Sequence, residues 1–132
     1  MASPRPRTRS AVLLALVLDI AFVVIFAATG RASHDKDVLL GLWQTSWPFL
    51  AGLAIGWLVT LAWRAPMAPV RTGLGLWAIT LAGGMLFRTV SGQGTATAFI
   101  IVASIFLLVT LVGWRLIGTA IAKRRTVPPV AA

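Results

Sequence analysis

One carboxylate, Asp19, lies inside the run LALVLDIAFVVIF at residues 14–26, and it is the side chain here best placed to do chemistry. Ten residues on from Arg9, it lies about 15 Å along a helix, near the centre of a bilayer core of about 30 Å. A central Asp opposes insertion by about 2.5–3.5 kcal/mol, and each Leu, Ile, Val or Phe returns roughly 0.3–0.6. Twelve such residues share its span, so the helix still inserts. An acidic group held there is a functional-site hypothesis by default. Counting inward from Arg71 and Arg115 brings Thr80 and Ser104 to a similar depth, which predicts a midplane polar pocket of Asp19, Thr80 and Ser104. Two roles are open to it. Asp19 either loads and unloads a proton as a substrate or ion passes, or stays neutral, hydrogen-bonds Ser or Thr, and fixes helix register.

A second polar concentration follows the first span, in Gly30-Arg31-Ala32-Ser33-His34-Asp35-Lys36-Asp37. Ser33, His34 and Asp35 have the residue types of a catalytic triad, but neighbours in sequence cannot fold onto one another in triad geometry. There is one His, and no Cys or Glu to build a second constellation. Enzyme activity is therefore not expected, nor a transition-metal site or a cofactor. Arg31, His34 and Arg88 instead form a candidate outer-mouth polar site suited to an anion. Arg88 lies about 25 Å from the inner end of its helix, so direct pairing with Asp19 needs tilt, a broken helix or intervening water.

The elements that position these groups are long uncharged runs. Only 11% of the residues are charged and 58% are hydrophobic, against about a quarter charged in an ordinary soluble domain. Between Arg9 and Arg31 the only charge is Asp19, and no charge occurs in residues 38–63, 72–87 or 89–114. Four helical spans follow, at about 10–30, 45–63, 72–90 and 96–115. Ser46 reads as an N-cap ahead of Pro48 in a first turn, and Thr72 as the cap of the third span. Residues 65–69 and 91–94 read as turns. The apolar run after the basic start is longer than a signal-peptide core, and Asp19 interrupts it. The expected organisation is a basic cytoplasmic tail at 1–9, a four-helix transmembrane domain at 10–117, and a basic, partly disordered cytoplasmic tail at 118–132.

Lys and Arg set the orientation. Nine fall on the side that holds both termini and the 63–71 loop, against three on the other, which predicts an all-α, N-in/C-in bundle in the inner (plasma) membrane. The net charge of +9 flanks apolar runs, so it points to topology and to anionic lipid at the cytoplasmic face, and not to nucleic acid. Gly52 and Gly56 make a GxxxG pattern, and Gly83-Gly84 is a second close-approach surface.

Several patches resemble a small bacterial membrane family catalogued as domain of unknown function 3054. They are Asp19, Gly30 through His34, Trp47-Pro48-Phe49 with Gly52 through Trp57, Phe87-Arg88, Gly94 before Ala98-Phe99-Ile100, and Gly113-Trp114-Arg115. The resemblance implies a four-helix integral membrane protein and assigns no activity or ligand. Two functions fit. One is a small structural, interaction or accessory subunit that packs with itself or another membrane protein through its glycine surfaces. The other is a subunit of a proton- or ion-coupled transporter or channel working through Asp19.

Overall fold

The computed structural model of the chain describes residues 6–31 and 38–126, with side chains at 9–29 and 39–124. These residues form helices and turns, with no strand among them. Helix α1 is Pro6–Arg31 and α2 is Val38–Thr60. A short 3-10 turn, Ala62–Arg64, leads into a π-helical segment, Pro69–Leu74, that runs directly into α3, Gly75–Val90. The last rod is α4, Thr97–Leu107, a second π-helical segment, Leu108–Val112, and α5, Gly113–Thr126. Backbone angles stay helical through both joints, so each composite is one continuous rod. Three helical stretches are long and apolar enough to cross a membrane: Arg9–Thr29, Pro69–Val90 and Thr97–Arg124.

The helices run past the expected boundaries in instructive places. α2 begins at Val38, so Ser46 is not a cap; it is buried mid-helix with its hydroxyl unpartnered. Pro48 sits inside the helix, where it has no N–H to offer the Gln44 carbonyl. Residues 44–48 also dilute the apolar character of this helix, which α1 and α3 flank. Thr72 does not cap α3 either, because the rod already starts at Pro69; its hydroxyl donates to the Ala65 carbonyl at 2.6 Å. Beyond residue 117 the chain stays helical to Thr126. The 91–94 turn forms as read, with Gly92 and Gly94 at φ +79° and +76°, where a side chain would be strained.

Each rod buries a stripe of residues four apart. α1 presents Ala15, Asp19, Val23 and Ala27; the third rod presents Thr72, Leu76, Thr80 and Gly84. The last rod presents Ala103, Leu107, Leu111 and Arg115. Between Ala103 and Arg115 the wide π turn, Leu108–Val112, lowers the rotation per residue and so keeps steps of four closer to one face.

Glycines set the closest helix contact. A Cβ on Gly52 of α2 would stand 2.9 Å from the Thr80 carbonyl oxygen and 3.1 Å from the Gly84 nitrogen, and one on Gly83 would stand 3.1 Å from the Gly52 Cα. A Cβ on Gly56 would meet Leu76 and Ile79, and one on Gly84 would run into the Phe49 ring. All four glycines therefore lie at the α2–α3 contact within one chain.

Two ends of the bundle can be distinguished. The hairpin end holds the 91–96 turn, and below it Phe26 packs edge-on against Phe49 at 5.1 Å and tilted against Phe99 and Phe106. The terminal end holds the start of α1, the 61–68 loop and α5.

Candidate functional site

Asp19 comes from the middle of α1, on the buried stripe between Ala15 and Val23. Its carboxylate is fully enclosed and meets Arg115 of α5 in a two-pronged ion pair: Nη1 donates to Oδ1 at 2.9 Å and Nη2 to Oδ2 at 2.7 Å. Two indoles complete the shell. Trp114 Nε1 donates to Oδ1 and Trp57 Nε1 to Oδ2, both at 2.9 Å. An ionised carboxylate offers about four lone-pair positions, and here each meets an N–H. Four of the five guanidinium N–H groups are occupied as well. Nε donates to the Pro66 carbonyl at 2.8 Å, Nη1 donates also to the Leu111 carbonyl at 2.9 Å, and the ion stacks 4.5 Å from the Trp114 ring centroid. Removing two ions from water is expensive, and such a pair is sustained by good geometry with its remaining donors and acceptors satisfied. This site meets that condition. It ties α1, α2, the 61–68 loop and α5 at one point.

The depth ladder drawn from sequence takes Arg115 as the inner end of its span. The helix that carries it continues eleven residues further, to Thr126. Arg115 therefore lies about 16 Å inside the end of its helix, at about 1.5 Å per residue. The partner of Asp19 on α2 is Trp57, one turn from the helix end at Thr60, and Pro66 of the loop also reaches the site. Asp19 is thus midway along α1 but level with the end of α2 and the 61–68 loop, while Arg115 lies about 27 Å along the last rod from Thr97.

The other residues singled out from sequence fall elsewhere. Thr80 is fully buried and its hydroxyl has no partner. Ser104 Oγ donates to the Ile100 carbonyl of its own helix, while the Ser104 carbonyl accepts from Trp77 Nε1 at 2.9 Å. No hydrogen bond joins Asp19, Thr80 and Ser104. Arg88 turns onto its own loop: Nε donates to the Gly94 carbonyl at 3.0 Å, Nη1 to Gln93 Oε1 and Nη2 to the Gln93 carbonyl, with the Phe99 ring 4.2 Å away. It fastens the 91–96 turn. The Arg31 side chain and His34 lie outside the described residues. Trp57, Trp114, Arg115 and Pro66 were not singled out as site residues, although three of them stand in the patches that carried the family resemblance.

A family model described as "Protein of unknown function (DUF3054)" matches residues 16–118. The chain belongs to that family. The matched stretch contains Asp19, Trp57, Pro66, Trp114 and Arg115, so the whole charge cluster lies inside the DUF3054 region. No curated protein and no solved structure matches the chain.

Proposed function

We propose that this DUF3054 protein is a four-span integral protein of the inner (plasma) membrane, with both termini cytoplasmic, and that it acts as a small structural or accessory subunit. α2 supplies the fourth span: its 23 uncharged residues reach about 34 Å. Moving Arg115 from the inner loop count to the bundle interior leaves the Lys/Arg bias strongly toward the terminal end. The observation that carries the functional reading is the saturation of Asp19. Four N–H groups fill its oxygens, so the carboxylate is committed to fixed partners within the bundle and offers no open position to an ion in transit. That favours a fixed clamp over the transporter alternative.

Partner binding would use the lipid-facing side of the rods and not the glycines, which α2 and α3 occupy with each other. The test has two arms. Extraction of the tagged chain with a membrane-solubilising polymer should bring a second membrane protein, or a second copy, at fixed stoichiometry. Proteoliposomes of the purified chain should carry no proton or cation flux. A chain that purifies alone and supports flux abolished by Asp19→Asn would overturn the assignment.

A further inference from the structure

Resting on the membrane reading above, we infer that the terminal end of the bundle is a preorganised surface for anionic phospholipid headgroups, centred on Trp63, Arg64 and Arg71. The charge balance there is one-sided. Arg9, Arg64, Arg71 and Arg124 are all exposed at this end. Of the three Asp residues, Asp19 is buried against Arg115, and Asp35 and Asp37 lie outside the described residues. No carboxylate among the described residues offsets these guanidiniums.

The loop that carries Trp63 and Arg64 is held from three directions. Arg115 Nε donates to the Pro66 carbonyl at 2.8 Å, Thr72 Oγ1 to the Ala65 carbonyl at 2.6 Å, and Thr119 Oγ1 to the Met67 carbonyl at 3.2 Å. The second of these bonds joins Ala65, next to Arg64, to Thr72, next to Arg71, so the backbone segments that carry the two arginines are tied together. Trp63, next to Arg64 in the chain, is 41% exposed, an amphipathic ring of the kind that settles at headgroup level. A surface fixed before binding loses less freedom when a ligand docks than a mobile one does. The buried clamp thus acts outward as well, as the anchor of a lipid-facing loop.

Nanodiscs test this because both leaflets have one composition, so a role limited to setting orientation leaves no trace. The purified chain is placed in phosphatidylcholine discs containing phosphatidylglycerol. Spin-labelled lipids then report the association constant for phosphatidylglycerol relative to phosphatidylcholine. The wild type should favour phosphatidylglycerol. Arg64→Gln with Arg71→Gln should reduce the preference by roughly fivefold per arginine. Arg64→Lys with Arg71→Lys should hold it, which also shows that the site tolerates substitution; the single Gln changes read the same effect if the pair fails to fold. Sodium phosphate should compete no better than sodium chloride of equal ionic strength. An unchanged preference in the Gln variants overturns the inference, and specific competition by inorganic phosphate overturns the lipid assignment. Failure of the membrane reading itself would appear earlier, as a chain that remains in water without detergent and never enters the disc.

Discussion

Replacing Asp19 with Asn tests the clamp most directly. The amide keeps the shape and one oxygen, but it sets an NH2 group against two of the four donors and leaves Arg115 without a counter-charge. Breaking a buried pair from one side costs about 3–5 kcal/mol, a large part of a typical total of about 5–15. Arg115→Gln should cost about the same, because it strands the carboxylate and removes the donors to Pro66 and Leu111. The double variant leaves two neutral amides that can bond each other, so its loss should fall well short of the sum. A coupling of at least about 2 kcal/mol is expected, within the range for residues in contact. Reversible unfolding in mixed detergent micelles, followed by tryptophan fluorescence, measures all three, and Trp57 and Trp114 report from the site. Losses below about 1 kcal/mol that simply add would refute the ion pair and the argument built on it.

Four further outcomes follow from contacts. Trp57→Phe keeps the ring and removes one donor to the carboxylate, at a cost of about 1.5–3 kcal/mol in the same unfolding assay. Thr80→Val should be neutral or stabilising, since it removes a buried hydroxyl that has no partner; a clear loss would mean that the hydroxyl has work to do. Gly52→Ala should destabilise by about 1–3 kcal/mol, because its Cβ meets α3 backbone, which cannot swing aside as a side chain can. Gly113→Ala, with nothing within 4 Å of its Cβ, should stabilise by up to about 1 kcal/mol through helix propensity, read as a higher unfolding midpoint.

Helices were legible in this sequence because uncharged length is a strong signal, and the 91–94 turn because its glycines mark it. Helix ends were less legible. Pro48 resembles a first-turn proline, yet packing on both sides holds the helix through it, so propensity yielded to tertiary contact. Asp19 was recognised by its chemistry, but its partner was not. Arg115 sits beside residues that look like a membrane boundary, and a charge count treats every arginine alike. The signal that separates it is periodic: Ala103, Leu107 and Leu111 lead to it in steps of four, so it extends an apolar stripe where the exposed Arg124 does not. Indole donors are harder still to foresee. Tryptophans near a bilayer surface are usually read as interface anchors, and only the fold shows that two of them point at a carboxylate.

The clamp also has a history in time. Asp19 and Arg115 stand 96 residues apart, on the first and last rods of the bundle. At a synthesis rate of about 5–20 residues per second, the first helix waits about 5–20 s before its counter-ion leaves the ribosome. Throughout that interval the carboxylate lacks its counter-ion. A chain cut short before α5 never gains it, so the first helix depends on the last for the pairing of its one acid.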